Sequence, residues 1–221
     1  MLSDEGSAVI RSLGILNEQA VEAVFGIPHP GVFVLDRQGI VREKRFYASY
    51  RERDTGVGLI ERVIGIAAPS HGPLVSVAGD GVEVRAWLDA DHYTWGQRIW
   101  LTVQLTMEPG LHVYGRPIPG GYYPVAIGAE PIERVTIGEP EWPVPKPFRI
   151  EGLEEEFRVY EGTLQVSLPM TFMVVDAGDQ TVRVQVSYQA CTATECLAPV
   201  TKVVELKLPE RPLVERPKPQ G

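Results

Sequence analysis

Sulfur and imidazole are scarce in this chain: its 221 residues include two cysteines, four methionines and four histidines. Two cysteines cannot build a disulfide-dense scaffold. Tetrahedral zinc would need two more ligands, and His29, His71, His92 and His112 show no paired ligand spacing, so neither a metal nor a cofactor is expected. Cationic residues are also short, 21 against 29 acidic ones, for a net charge of −8 and a pI near 5.1. That balance argues against a nucleic-acid partner or an anionic membrane surface, both of which call for a basic face. No apolar run approaches the roughly 18 residues of a membrane span. The opening Met1-Leu2-Ser3-Asp4-Glu5-Gly6 is acidic and lacks the apolar stretch of a signal peptide.

What is present suits a globular protein, since 44% of residues are hydrophobic, enough to fill the core of one large domain or two small ones. Any sulfur chemistry is confined to Cys191 and Cys196, with four residues between them. Upstream, Val182, Val184, Val186 and Tyr188 alternate with polar residues, and 200–208 is again rich in β-branched and aliphatic side chains. Two strands therefore flank the pair, which sits at the head of a hairpin. A short loop between paired strands brings two Cα atoms within disulfide range, so a Cys191–Cys196 bridge is expected. The residues leave open whether it is a structural staple or an exchanging couple.

Residues 1–67 read as an α/β piece, with a helical run at 7–13, strands at 32–35 and 40–47 around a turn at 36–39, and a helix at 55–64. Residues 68–73, with Pro69, Gly72 and Pro73, form a linker. Beyond it, short strands recur at about 82–88, 99–106, 132–137, 164–175, 182–188 and 200–208, separated by glycine, proline or acidic turns, the pattern of an all-β sandwich. The segment between Gly110 and Gly128, with three tyrosines, a histidine and three prolines, is too punctuated to be strand alone. Residues 209–221 are proline-rich and charged and read as a disordered or extended tail.

The stretch Tyr188-Gln189-Ala190-Cys191, then Cys196-Leu197, Pro199 and Thr201-Lys202, resembles the amino-terminal periplasmic domain of the thiol:disulfide interchange protein DsbD. The resemblance continues upstream through 107–114, 155–162 and 168–172, and so covers roughly residues 70–208. Two departures are Ala198, where relatives often carry a second proline, and a cysteine spacing one residue shorter than in the best-known members. The resemblance implies a mainly β chain with an immunoglobulin-like β-sandwich over 74–208 in which Cys191 and Cys196 shuttle electrons. It also implies a cap that shields them, for which Phe157, Tyr160 and Tyr114 are candidates. Ordinary sandwich packing is the competing reading for all three.

Residues 26–36 and 39–42 resemble the second half of a redoxin of the peroxiredoxin and thioredoxin-like superfamily. By that resemblance His29 and Pro30 form a substrate-side loop with a cis-proline; a rigid turn before a strand is the alternative. The cysteine-bearing half of such a fold has no counterpart in residues 1–67, so no peroxidase activity is expected, and the assigned start is expected to lie inside a longer reading frame.

Three functions follow. The first is thiol–disulfide interchange, an electron relay through Cys191 and Cys196. The second is an accessory domain of a redoxin-type enzyme whose catalytic half is missing, and the third is a non-enzymatic immunoglobulin-like binding module with a structural disulfide. Thiol or disulfide proteins, a thioredoxin-fold domain among them, are the expected partners. The residues do not fix the compartment; the resemblance implies a periplasmic or other extracytoplasmic one.

Overall fold

A computed structural model describes residues 4–21, 25–56, 59–60, 72–150, 155–174 and 176–211. The described chain is mainly β. A short helix α1 (Ala8–Ser12) precedes strands β1 (Gly31–Leu35), β2 (Val41–Phe46), β3 (Arg53–Asp54), β4 (Leu74–Gly79), β5 (Val82–Leu88), β6 (Gln97–Met107), β7 (His112–Tyr114) and β8 (Ala126–Ala129). There follow β9 (Val135–Ile137), β10 (Lys146–Arg149), β11 (Glu156–Glu161), β12 (Thr163–Phe172), β13 (Gln180–Tyr188), β14 (Ala190–Cys191) and β15 (Val200–Leu208).

The largest sheet runs β4-β5-β6-β12-β9, and a second sheet runs β15-β13-β8. Period-2 patterning dictates how they face each other. Val82, Val84, Ala86 and Leu88 of β5 and Leu164, Val166, Leu168 and Met170 of β12 point inward from the first, while Val182, Val184, Val186 and Tyr188 of β13 and Val204, Leu206 and Leu208 of β15 answer from the second. The β4–β5 hairpin closes through Asp80 and Gly81, both at positive φ (56° and 71°), the two-residue Asp-Gly turn whose twist suits paired strands. The β-sandwich expected from the sequence is thus present. The strand expected at 132–137 shortens to β9, and β4, β7, β8, β10, β11 and β14 add to the expected set.

The segment before the sandwich forms an antiparallel β1–β2 hairpin behind α1. It does not stand apart throughout. The β5–β6 ladder ends at Leu88↔Leu101, and β3 pairs parallel with β6 beyond it, at Arg53↔Gln97 and Asp54↔Arg98. Arg98 forms an ion pair with Glu52, and the Thr55 hydroxyl donates to buried Asp89, whose other carboxylate oxygen accepts from the Trp100 N–H at 2.8 Å. Most of the helix expected at 55–64, and the boundary expected at 67, lie outside the described residues.

The tail expected from 209 begins as an ordered edge. Tyr93 donates to Pro209 O at 2.9 Å, Arg211 donates to Tyr93 O at 2.8 Å, and Glu210 accepts from the backbones of Asp176 and Gly178. Pairing of these backbone groups with the Tyr93 segment outweighs the local proline signal; residues 212–221 lie outside the described set.

Tyr188, at the sandwich end nearest the cysteines, is 1% exposed, its hydroxyl has no hydrogen-bond partner, and burial, with Asp80 adding to it, pushes its pKa up to about 12. Tyr188→Phe is therefore expected to leave stability at neutral pH unchanged or to raise it by up to about 1 kcal/mol in urea unfolding. The unfolded phenol ionises near 10 and the folded one near 12, so wild-type stability falls as pH rises through that window. The variant should lose less over the same range, and an equal alkaline loss in both proteins would contradict this assignment.

Candidate functional site

A third sheet, β10-β11-β7-β14, carries the cysteines. The chain leaves β13 at Tyr188 and two residues later pairs with β7, Ala190 opposite Val113 and Cys191 opposite His112. The loop then folds back on itself. Thr192 N–H donates to Glu195 O at 2.7 Å, Leu197 N–H donates to Ala190 O at 2.9 Å, and the Thr192 hydroxyl accepts from the amides of Thr194 and Glu195. Cys191 and Cys196 oppose each other in this miniature hairpin and are joined by a disulfide with Cα atoms 4.0 Å apart. The pair is the bridge expected from the sequence.

Alternation along the paired strands sets what surrounds the sulfurs. Val113 and Ala190 point into the main core, whereas Tyr114 and Cys191 point to the opposite face and join Phe157 and Val159 in a separate cluster flanked by Ile118, Tyr122, Phe148 and Ile150. Rings meet at 4.9 Å between Tyr122 and Phe157, 5.2 Å between Tyr114 and Tyr122, and 5.5 Å between Tyr114 and Phe157. Tyr114 directs its hydroxyl toward Cys196 Sγ from 4.0 Å, and burial keeps that phenol protonated beyond the ordinary range. The two cysteines differ sharply: Cys191 is 0% exposed, and Cys196 lies in a run of exposed residues, 192–199.

The site residues expected from sequence separate into three groups. Tyr114 and Phe157 share the cysteine cluster, although Phe157 belongs to β11 and not to a loop; the residues before it, 151–154, lie outside the described set. Tyr160, three positions further on, faces the main core, stacks on Trp142 with centroids 6.3 Å apart, and donates to Pro143 O at 3.1 Å. His29 and Pro30 lead into β1, where His29 N–H donates to Ile15 O and Pro30 O accepts from Tyr47 N–H. None of those partners belongs to the cysteine sheet. The cis peptide found among the described residues is Arg116–Pro117, so His29–Pro30 is trans, and the expected cis-proline is corrected: the backbone bonds flanking it fit a turn into β1.

From the sequence His112 has no paired metal-ligand spacing and belongs to the tyrosine- and proline-rich segment between Gly110 and Gly128. The structure buries it at 3% exposure on the sulfur-bearing face, opposite Cys191 on one side and Glu161 on the other. The signal available was the alternation His112-Val113-Tyr114, which puts the imidazole beside a tyrosine of the cluster. Its ring lies 4.5 Å from Phe148 and 5.3 Å from Tyr114, its Nε2 has no hydrogen-bond partner, and burial lowers its pKa, with Glu161 opposing. Among the described residues, no three His, Cys, Asp or Glu side chains gather as a metal site.

Phe157 is 0% exposed and walls the buried sulfur. Phe157→Ala is expected to destabilise the protein by about 3–4 kcal/mol in chemical denaturation. Under conditions where it remains folded, it should also speed alkylation of reduced Cys191. Lost stability with unchanged labelling would make Phe157 a packing residue and nothing more.

Comparison with known proteins bears on this site directly. The family model described as "Thiol:disulfide interchange protein DsbD, N-terminal" matches residues 85–208, from within β5 to the end of β15. No curated protein matches the chain. Among solved structures, the N-terminal periplasmic domain of ScsB from Proteus mirabilis is similar at 14% identity over 62% of this chain and 51% of that one, with a TM-score of 0.44. This chain thus spans about half the length of that relative. The DsbD N-terminal domain of Neisseria meningitidis in its reduced form is similar at 16% identity over 68% of this chain and 89% of that one, with a TM-score of 0.36. A complex of the DsbD and PilB N-terminal domains from the same organism is matched at 17% identity over 48% and 73%, with a TM-score of 0.37. The family match takes in both cysteines, the aromatic cluster around them and more than half of the sequence, and its open, mainly antiparallel sheets are an immunoglobulin-like β-sandwich: the chain belongs to the DsbD N-terminal domain family of thiol:disulfide interchange proteins.

Proposed function

We propose that this domain relays electrons by thiol–disulfide exchange through Cys191 and Cys196, with Cys196 the sulfur that partners attack. The observation that carries this reading is the asymmetry of the pair, Cys196 exposed and Cys191 fully buried. A thiolate must approach a disulfide along the S–S axis, and only Cys196 can be reached from solvent.

The exchange runs in two steps. A partner thiolate bonds to Cys196 Sγ, the Cys196–Cys191 bond breaks, and its electron pair passes to Cys191 Sγ. A second partner thiolate then attacks the partner's own sulfur in the mixed disulfide and releases Cys196. The partner leaves as a disulfide, the domain has gained two electrons, and both of its thiolates take protons from water. Run backwards, the same steps reduce a partner disulfide. The partners of this reading are thiol or disulfide proteins, a thioredoxin-fold domain in particular, met outside the cytoplasm.

For residues 1–67 we infer a redoxin-like segment. Supporting this are the order α1, β1, β2, the Pro30 entry to β1, and the apolar side chains Val9, Phe25, Leu35 and Ile40, which stay exposed as those of a part-fold would.

Alkylation of the reduced protein, followed by peptide mapping, is expected to label Cys196 at least about tenfold faster than Cys191. Cys191→Ser should accumulate a stable mixed disulfide with a small aromatic disulfide, and Cys196→Ser should do so far more slowly. Equal rates at the two positions would overturn the assignment of Cys196 as the attacked sulfur. A bridge that resists dithiols while the domain stays folded would make it a staple.

A further inference from the structure

Exchange at Cys196 leaves an unsolved problem at Cys191. Its sulfur departs with a full negative charge into a cluster of Tyr114, Phe157 and Val159, with no exposure to water. Desolvation opposes that thiolate strongly, and an apolar wall offers it nothing. Neither of the usual activating devices, a helix amino terminus or an adjacent Lys or Arg, is supplied by β14 or β7.

The group placed to answer the charge is across the ladder. His112 and Cys191 are direct partners in the β7–β14 pairing, so their side chains leave the same face with Cβ atoms about 4.5–5.5 Å apart. The imidazole is 3% exposed, and its Nε2 is buried without a partner in the oxidised protein. A buried polar atom left unmatched is a standing penalty in one state unless another state satisfies it.

Resting on the relay reading above, we propose that His112 donates a hydrogen bond from its ring N–H to the Cys191 thiolate as the disulfide opens, and so stabilises the leaving sulfur of the exchange. The charged and titratable groups facing the ring among the described residues are Glu161 of β11, bridged at 3.2 Å to Lys146 of β10, together with Tyr114 along its own strand and Cys191 on β14. Burial favours the neutral ring at neutral pH, against the weaker pull of Glu161. With its proton on Nε2, the nitrogen that is buried without a hydrogen-bond partner, a neutral imidazole still offers one N–H to Cys191 once the disulfide opens. The proton that finally neutralises Cys191 comes from water, so the imidazole is unchanged at the end of the cycle.

The test separates this role from the relay itself. In a Cys196→Ser background, ultraviolet thiolate absorbance titrates Cys191 alone. His112→Phe, which keeps a ring against Phe148 and Tyr114, is expected to move that titration upward by about one pH unit, and His112→Gln, which restores an N–H, should recover part of the shift. With both cysteines present, His112→Phe should slow reduction by dithiothreitol about ten- to a hundredfold while the melting curve of the oxidised protein is kept. Should the phenylalanine not fold, His112→Met takes its place as the variant without a donor. An unmoved Cys191 titration together with an unchanged reduction rate overturns the proposal while leaving the relay intact. A wild-type disulfide that dithiothreitol cannot open in the folded protein removes the relay instead, and the Cys191 titration still decides whether His112 holds the thiolate.

Discussion

The site depends on two residue pairs of backbone, Ala190 with Val113 and Cys191 with His112. Without that short ladder the loop after β13 would be an ordinary hairpin turn carrying both sulfurs into water. With it, the chain is drawn from the β15-β13-β8 sheet onto β10-β11-β7-β14, and the pleat sends Ala190 into the main core and Cys191 into the aromatic cluster. Five residues later the loop has turned back, and Cys196 is exposed. One local pairing thus gives the two cysteines opposite environments, which is what a directional exchange requires.

The sandwich holds that ladder in register. A slip of one residue in β7 would exchange Val113 for its neighbours and carry His112 and Tyr114 to the core face. The β11 pairs Val159↔Tyr114 and Glu161↔His112 fix β7 on its other side, and β12 follows β11 after the single residue Gly162. From β12 the constraint passes to the ten-residue ladder with β6 at the centre of the largest sheet. The buried apolar face there is large enough that a lost methylene or two is tolerable and a shifted register is not.

Much of this was legible in the sequence where a strand is long and half-buried. The valines of β13 and β5 alternate without interruption, and their observed limits fall within two residues of the expected ones. The strands of the cysteine sheet were not legible. β7 has three residues, β10 is interrupted by Pro147, and β14 has two, too few for a period to show. Tyr160 illustrates a second limit, because grouping it with Phe157 by proximity in sequence ignores the pleat, which turns positions three apart to opposite faces. His112 illustrates a third, since a lone histidine has no sequence signature until its cross-strand neighbour is known. The cysteines needed no period, being the only two in the chain.

The central claim is that this pair works as a redox couple in a domain that stays folded in both states. The measurement that addresses it most directly is equilibration against a graded series of dithiol and disulfide buffers, with a thermal melt of each end state. The account predicts reversible two-electron behaviour at a potential above the roughly −300 mV region of inert structural bridges. It also predicts that the reduced form stays folded, because a bridge closing so small a loop contributes only about 2 kcal/mol in the chain-entropy picture. A strongly reducing potential accompanied by collapse of the reduced domain would contradict it.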